Sequence, residues 1–197
     1  AQALPRPRLA AARAGRVMTW IRTVAPNAAE GRLRRLYDGV SAADGAVDNI
    51  ITAHGLRPHA LDGHLALYRA VLHHPDNTTP AWLLEAVGVH VSALNGCTYC
   101  VDHHVRGLRR ALGDDARAEA IAAALVADRP EDALAGAELA RMRYAARLTR
   151  TPAAVDAGDV AALRDAGLDD GAILELNQVV AYFAYANRFV LNDTATT

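Results

Sequence analysis

Helix-forming segments that end at glycine or proline follow one another along this chain, and they constrain its fold more than any other feature. Apolar residues recur three and four positions apart, as on one face of an α-helix, and no stretch alternates as a half-buried strand does. Alanine, the strongest helix former, supplies 44 of the 197 residues. The pattern predicts an all-α protein whose helices pack closely through small side chains.

Start and stop signals divide the chain into helices. Asn27-Ala-Ala-Glu30 has the form of a capping box, and Thr79 followed by Pro80 is typical of a helix start. Asn95-Gly96 is a strong stop, and Asp169 is expected to cap the last helix. Helices are predicted from Asn27 to Gly45 and over residues 48–54, 61–74, 80–94, 97–112, 114–127, 132–149, 157–166 and 170–191.

Composition excludes several classes of function. All 21 basic residues are arginine, so the chain has no lysine for a Schiff base or a phosphate-binding loop. A net charge of −1 provides no basic field for nucleic acid. No run of about 18 apolar residues is present, which predicts no membrane span. We expect a cytoplasmic protein that has neither a nucleic-acid nor a membrane partner.

The N-terminal segment differs from the rest of the sequence. Residues 1–17 contain four arginines, two prolines and no acidic residue, and they lack the apolar stretch of a secretory signal. We expect a disordered tail or an extension here. Residues 18–197 show no linker, so they are expected to form a single helical domain.

The two cysteines of the chain, Cys97 and Cys100, lie in its most informative segment. Because they follow a helix stop, Cys97 is expected near the N-cap of the next helix and Cys100 in its first turn, where unpaired amides favour a thiolate. At about 100° per residue, both cysteines and His104 fall within roughly 60° of one another on one helix face. Such a pair supports a cycle in which one thiolate attacks an oxidant and the second thiol resolves the product.

The preceding helix adds two polar residues. Glu85 and Ser92 are about 20° apart around its axis, and the tight turn folds that helix back towards the cysteines. A glutamate there can orient or deprotonate His104, directly or through water. Ser92 is expected to act as a support that packs or hydrogen-bonds. We expect no metal, but a zinc site completed by Glu85 or His103 and a pair of inert buried cysteines both stay open as alternatives.

The pattern Glu-x11-Cys-x2-Cys-x3-His, with Ser-Ala-Leu-Asn-Gly before the first cysteine, resembles a known family. It is similar to the AhpD-like alkylhydroperoxidases of the carboxymuconolactone decarboxylase superfamily, and most of all to the branch called peroxidase-related enzymes. The resemblance extends from about residue 18 to the C-terminus. It includes Thr149-x-x-Pro-Ala-Ala-Val155 and the Asn187-Arg188 pair.

This resemblance implies an AhpD-like helical bundle, a homo-oligomer (a trimer or a dimer of trimers) and thiol-dependent peroxide reduction. It implies that Cys100 is the peroxidatic thiol and Cys97 the resolving one, with His104 and Glu85 as a proton relay. An organic hydroperoxide would be the substrate and a dithiol protein or small thiol the reductant, with no cofactor beyond the Cys97–Cys100 disulfide. Tyr99 stands where the best-studied AhpD pattern has histidine, so a phenol is expected to hydrogen-bond or pack beside the substrate.

Two other functions stay open. The superfamily also contains carboxymuconolactone decarboxylases, although that branch works without a redox-active cysteine pair. A non-enzymatic oligomer could instead use the same disulfide as a redox sensor. Most remaining histidines are expected on the surface, with His103 there or in a subunit interface. The aromatic residues of the last helix are expected in the core or in a subunit interface. These residues are His54, His59, His64, His73, His74 and His103, and Tyr182, Phe183, Tyr185 and Phe189.

Overall fold

The computed structural model of the protein describes residues 21–42 and 45–193, and the tail expected at residues 1–17 lies outside them. Within the described residues the chain forms nine α-helices, three short 3₁₀ helices and no strand. The all-α prediction is confirmed. The helices are α1 (Gly31–Asp38), α2 (Asn49–Ala53), α3 (Pro58–Leu72), α4 (Ala81–Leu94), α5 (Thr98–Leu112), α6 (Asp115–Val126), α7 (Gly136–Arg150), α8 (Ala157–Asp165) and α9 (Asp170–Asp193).

Helix α4 is the central element of the main core. Every residue from Leu83 to Ser92 is buried, and α5, α6, α7 and α9 pack around this helix. A helix that neighbours surround in this way must be apolar on nearly all sides, as α4 is. Phe183 of α9 lies directly over Gly88, where a Cβ atom would be 2.3 Å from the ring. The glycine therefore allows α4 and α9 to approach closely.

The turn between α4 and α5 consists of Asn95 and Gly96. Gly96 has φ of 76°, a left-handed conformation that glycine adopts without strain. The Cys97 amide donates to the Ser92 carbonyl at 2.9 Å and closes the end of α4. Helix α5 consequently folds back along α4 with Cys97 at its N-cap position. The stop predicted at Asn95-Gly96 is confirmed.

A second, smaller core joins the three N-terminal helices. Leu33 and Tyr37 of α1 pack with Ile51 of α2 and Leu61 and Leu65 of α3. Helices α2 and α3 also contact α9. This arrangement places α2 and α3 beside the end of the α4–α5 hairpin. No helix among the described residues is long and apolar enough to cross a membrane.

The capping box predicted at the start of α1 is wrong. Pro26–Ala28 forms a separate 3₁₀ helix, and α1 begins only at Gly31, with Glu30 at its N-cap position. Proline at the first position stabilises that short turn, because its fixed φ suits a helix start and it needs no amide partner. The helix predicted over 132–149 also starts later, at Gly136, since residues 130–132 form another 3₁₀ helix.

Thr79 does not cap α4 as predicted. Pro80 occupies the N-cap position, and no side chain there accepts a hydrogen bond. The backbone amides of Thr78 and Thr79 instead donate to the carboxylate of Glu175 on α9, at 2.7 and 2.8 Å. A carboxylate so distant in sequence cannot be identified from local pattern. Asp169 does act as predicted, because its side chain accepts from the Ala172 amide at 2.8 Å.

Candidate active site

The two thiols lie together at the start of α5, and both are buried. Cys97 is 1% exposed and Cys100 4% exposed, and neither forms a disulfide. The N-cap position of Cys97 and the first-turn position of Cys100 follow directly from the Asn95-Gly96 turn. The sequence predicted this placement, and a disulfide across one turn requires little movement of the backbone.

A hydrogen bond links the two thiols. A hydrogen bond from Cys100 lowers the pKa of Cys97, and the same bond together with burial raises the pKa of Cys100 above its ordinary value. Cys97 is therefore the more acidic of the two thiols and Cys100 the less acidic one. This is the reverse of what attack by Cys100 requires. Because the two thiols titrate as a pair, a base must take the proton of Cys100 before Cys100 can act as a nucleophile.

Asn187 of α9 holds the cysteine turn in place. Its side chain is fully buried, donates to the Ser92 hydroxyl at 3.0 Å and accepts from the Asn95 amide group at 2.9 Å. It also hydrogen-bonds both thiols and lowers the pKa of each. Ser92 therefore supports the turn through Asn187. In the sequence, Asn187 was visible only as part of the family resemblance.

Glu85 and His104 form a buried pair next to the thiols. His104 Nδ1 donates to Glu85 Oε2 at 2.7 Å, and the two side chains are 9% and 8% exposed. This bond places a proton on Nδ1 and leaves the lone pair of a neutral imidazole on Nε2. Among the described residues no hydrogen bond joins His104 to either cysteine. Proton transfer between Cys100 and His104 consequently needs a water molecule or the substrate between them.

The Glu85 carboxylate occupies the space that Gly107 leaves open on α5. A Cβ atom at Gly107 would lie 2.5 Å from the carboxylate carbon. We therefore expect Gly107→Ala to displace Glu85 from His104 and to destabilise the fold by about 1–3 kcal/mol, as overpacking of a buried site does. Chemical denaturation measures the stability, and the rate of thiol oxidation by a peroxide is expected to fall with it.

Gly63 of α3 provides the matched control for this substitution. It is an exposed helical glycine with open space where a Cβ would be. Gly63→Ala is expected to raise stability by about 0.5–1 kcal/mol, because alanine is the better helix former. Equal effects of Gly63→Ala and Gly107→Ala on stability and on thiol oxidation would show that the Glu85 contact has no special role.

A cavity of about 290 Å³ opens beside the thiol pair, between α2, α3, α5 and α9. Cys100 and His104 line it, whereas Cys97 does not. The exposed charged residues Asp48 and Arg69 lie along its wall. The rest of the lining is rich in rings, namely those of His64, Tyr68, Tyr99, His103, His104, Tyr182 and Phe183. A ligand in this cavity would meet Cys100 and His104 together.

Several of these lining residues were not assigned to the site from sequence. His64 is 4% exposed, so the surface position expected for it is wrong, and His103 is half-buried. His54 is also buried. Tyr182 and Phe183 are core residues, as expected, but they also face the cavity. Tyr99 lines the cavity next to Cys100, and burial raises the pKa of its phenol to about 12.

The burial of His64 predicts a stability change with pH. Burial, followed by the nearby His54, lowers the pKa of His64 from 6.5 to about 4. Below pH 6.5 this histidine binds a proton in the unfolded chain but stays neutral in the folded chain. The free energy of unfolding therefore falls as the pH drops from 6.5 to 4. The shift corresponds to about 3 kcal/mol. Denaturant unfolding of wild type and His64→Phe at pH 7 and pH 4 measures it, because the other histidines contribute equally to both proteins.

We expect the wild type to lose about 3 kcal/mol more than His64→Phe between the two pH values. The same loss in both proteins would contradict a buried, neutral His64.

The described residues contain no group of three or more histidine, cysteine, aspartate or glutamate side chains placed to hold a metal ion. The zinc alternative therefore has no geometric support here. Cys97, Cys100 and His104 do lie close in sequence, but His104 is hydrogen-bonded to Glu85 and the two thiols are hydrogen-bonded to each other. The arrangement can do acid–base and thiol chemistry.

The candidate site lies in the part of the chain that matches a known protein family. Residues 58–150 match the model of the carboxymuconolactone decarboxylase family. This segment runs from the first residue of α3 to the last residue of α7 and contains Glu85, Cys97, Cys100 and His104. No curated protein matches the chain.

Similar solved structures cover most of the chain. An uncharacterised peroxidase-related protein from Ralstonia eutropha JMP134, with an alkylhydroperoxidase AhpD core, has a TM-score of 0.80 and 21% identity over 91% of this chain and 92% of its own. A peroxidase-related protein from Silicibacter sp. TM1040 has a TM-score of 0.70 and 24% identity over 80% of each chain. The debrominase Bmp8 has a TM-score of 0.65 and 21% identity over 81% of this chain and 82% of its own. The protein therefore has the AhpD-like fold.

Proposed function

We propose that this chain, whose residues 58–150 match the model of the carboxymuconolactone decarboxylase family and whose fold is AhpD-like, reduces organic hydroperoxides with its two cysteines. One observation carries the proposal. Cys100 and His104 line the same ring-walled cavity, while Cys97 is hydrogen-bonded to Cys100 and Glu85 to His104. A nucleophile, a resolving thiol, a base and the partner of that base are therefore assembled at one place.

In the first step, Cys100 attacks the peroxide. Nε2 of His104 receives the Cys100 proton through a water molecule or the substrate, and the thiolate attacks the terminal oxygen. The O–O bond breaks as an S–O bond forms, and the departing alkoxide takes the proton from the imidazolium. The products are an alcohol and a sulfenic acid on Cys100. Glu85 stabilises the transient positive charge of His104, as a carboxylate partner does in other relays.

In the second step, Cys97 resolves the sulfenic acid. Its thiolate attacks the Cys100 sulfur, an S–S bond forms, and hydroxide leaves and becomes water with the remaining thiol proton. The lowered pKa of Cys97 suits this role. The sum of both steps is one hydroperoxide and two thiols giving one alcohol, one water and one disulfide. An external dithiol then reduces the disulfide by exchange at Cys100, the cysteine that faces the cavity.

Turnover tests this function. The reduced protein, cumene hydroperoxide and dithiothreitol as the dithiol are expected to form many equivalents of cumyl alcohol, and prior alkylation of the thiols is expected to stop the reaction. Consumption that ends after one equivalent would indicate the redox-sensing alternative. Muconolactone decarboxylation that survives alkylation would indicate the decarboxylase alternative.

Debromination is a second candidate, favoured by the ring-lined cavity beside a dithiol. A cysteine-to-alanine variant of the debrominase Bmp8 in complex with 2,3,4-tribromopyrrole has a TM-score of 0.68 and 20% identity over 88% of this chain and 90% of its own. Here two thiols would convert an aryl bromide to an aryl hydrogen, a disulfide and hydrogen bromide. Bromide release from tribromopyrrole, measured beside cumene hydroperoxide reduction, decides between the two substrates.

We also propose that the protein is a homo-oligomer, a trimer or a hexamer. Support comes from five large apolar side chains of the described residues that remain between 42% and 56% exposed, namely Ile21, Leu67, Val126, Leu174 and Tyr185. Association would remove them from water. Light scattering on the reduced protein measures the mass, and a monomer would contradict this proposal without affecting the thiol chemistry.

A further inference from the structure

We propose that Tyr182 of α9 is a further catalytic residue, whose hydroxyl donates a hydrogen bond to the oxygen that leaves a hydroperoxide when Cys100 attacks it. Tyr182 would then serve the reaction as well as the core. This inference rests on the proposed function, because it concerns one step of that reaction.

The Tyr182 side chain is buried, but its hydroxyl is open to the cavity. Only 4% of the residue is exposed, and it lines the same cavity as Cys100. No described group hydrogen-bonds this hydroxyl, and its oxygen is not among the fully buried, unpartnered polar atoms of the described residues, so it keeps exposed surface. Because protein covers nearly all of the side chain, that surface faces the cavity. The hydroxyl can therefore reach a bound ligand.

The comparably buried tyrosines of the chain use their hydroxyl groups within the protein. Tyr37 donates to the Val24 carbonyl at 3.0 Å, and Tyr144 donates to Asn177 Oδ1 at 2.8 Å. A buried phenol normally finds such a partner. At Tyr182 the partner is missing on the side of the cavity, which leaves a place for an oxygen of the substrate.

The Tyr182 phenol lies near the thiol and its base. Its ring centroid is 5.2 Å from that of Phe183, and the Phe183 centroid is 4.5 Å from that of His104. Burial raises the pKa of Tyr182 above its ordinary value, and a negative charge on Cys100 raises it further. Since charge interactions weaken with distance, this second effect indicates that the phenol is close to the sulfur. The phenol also stays protonated at neutral pH and remains a donor.

Two other phenols line the cavity, but neither is placed as well. The Tyr99 hydroxyl is fully buried and cannot reach a ligand. Tyr68 is half-buried, and the charge that most raises the pKa of its phenol, after burial, is that of Glu85 rather than Cys100. Tyr182 is therefore the phenol that best serves an oxygen departing from Cys100.

The hydrogen bond from Tyr182 acts as the O–O bond breaks. The Cys100 sulfur attacks the terminal oxygen, and negative charge collects on the oxygen that carries the organic group. Tyr182 stabilises this oxygen, which takes the proton of the His104 imidazolium and leaves as the alcohol. Tyr182 keeps its own proton throughout. Donors held in place before the reaction are effective at stabilising such a developing oxyanion.

Tyr182→Phe tests this role, because it removes the hydroxyl and keeps the ring. We expect the oxidation of Cys100 by cumene hydroperoxide to slow about 10- to 100-fold, as the loss of a hydrogen bond to a charged oxygen does. Peroxybenzoic acid also has an aryl group, but it releases benzoate, a weak base that needs little stabilisation, so its reaction should slow much less. Stopped-flow measurement of single oxidation events on the reduced protein gives both rates. Equal slowing with the two oxidants would overturn the inference.

Two further measurements on Tyr182→Phe distinguish this role from a structural one. Alkylation of Cys100 by iodoacetamide involves no departing oxygen, so its rate is expected to stay unchanged. The melting temperature at pH 7 is also expected to stay unchanged, because the hydroxyl bonds to no protein group in the described part of the chain. Slower alkylation or a lower melting temperature would place the effect on the thiol or on the fold and overturn the assignment of Tyr182.

Tyr144→Phe is the matched control, because it removes a hydroxyl from a similarly buried ring that does not line the cavity. It is expected to react with cumene hydroperoxide at the wild-type rate. A wild-type protein whose thiols no hydroperoxide oxidises would refute the proposed function and this inference together. Normal oxidation of the wild type with the same rate in Tyr182→Phe, or with equal slowing in Tyr144→Phe, would refute only the assignment of Tyr182.

Discussion

Replacing Cys100 with serine is expected to reduce peroxide consumption to the background rate, whereas replacing Cys97 is expected to leave one round of oxidation intact. Cys100 is the cysteine that lines the cavity, so a peroxide can reach it. Cys97→Ser retains that thiol and its base but lacks the resolving group. The variant should therefore consume one equivalent of cumene hydroperoxide per subunit and stop at a sulfenic acid, which dimedone traps on Cys100.

This prediction distinguishes two criteria for the attacking thiol. Contact with the cavity favours Cys100, whereas a lowered pKa favours Cys97. The hydrogen bond from Cys100 lowers the pKa of Cys97, so at rest Cys97 has the greater thiolate character. If acidity alone decided the nucleophile, Cys100→Ser would consume one equivalent and Cys97→Ser none. We expect the opposite, because a thiolate that does not line the cavity cannot meet the substrate. Dimedone labelling of Cys97 in Cys100→Ser would reverse the two roles.

Removing the proton relay of Glu85 and His104 is the second change for which we expect a large loss of rate. His104→Ala removes the base that takes the Cys100 proton, and we expect thiol oxidation by cumene hydroperoxide to slow by about 10²- to 10⁴-fold, the range of general acid–base catalysis. Glu85→Gln keeps the shape of the side chain but removes the charge that stabilises an imidazolium, so it should slow the same step. The high pKa of Cys100 makes this dependence strong, since little Cys100 thiolate forms without a base. Stopped-flow measurement of single oxidation events gives both rates.

Two substitutions of exposed residues are the controls for Glu85→Gln and His104→Ala. Glu119 of α6 pairs with Arg109 in an exposed ion pair, and His59 of α3 is exposed. Glu119→Gln and His59→Ala make the same chemical changes outside the site, and they are expected to leave the rate unchanged. A wild-type rate in Glu85→Gln and His104→Ala would remove the relay from the mechanism, even if Cys100 remained essential.

The local part of the site could be predicted from sequence because it lies on two consecutive helices. Helical geometry places Cys97, Cys100 and His104 on one face of α5, and the Asn95-Gly96 stop sets the start of that helix. Glu85 was assigned to the relay from its spacing and from the family resemblance. The packing of α4 against α5 brings its carboxylate to 2.7 Å from His104 Nδ1.

The far side of the cavity could not be predicted in this way. His64 belongs to α3 and Tyr182 to α9, and no local rule states that these helices meet beside α5. Periodicity identifies the apolar face of a helix but does not identify what packs against it. A histidine within a helix is more often exposed than buried, so His64 was expected on the surface. For the same reason, local pattern could not predict that the Glu175 carboxylate, rather than the Thr79 side chain, accepts hydrogen bonds from the amides before α4.

Small residues at helix contacts were also hard to interpret from sequence. Alanine content indicated close packing in general, but no local pattern assigned a role to Gly88 or Gly107. Each leaves room for one side chain, Phe183 in the first case and Glu85 in the second. Their roles depend on which helix lies opposite, and this is a property of the assembled fold.

The most direct test of the account is a titration of the fully reduced wild-type protein with cumene hydroperoxide, without external reductant. Free thiols, cumyl alcohol and the peptide map are measured at each point. The account predicts that each equivalent of alcohol appears with the loss of two thiols per subunit and with a disulfide between Cys97 and Cys100. Alcohol formation without thiol loss, or thiols that stay reduced in excess peroxide, would contradict it.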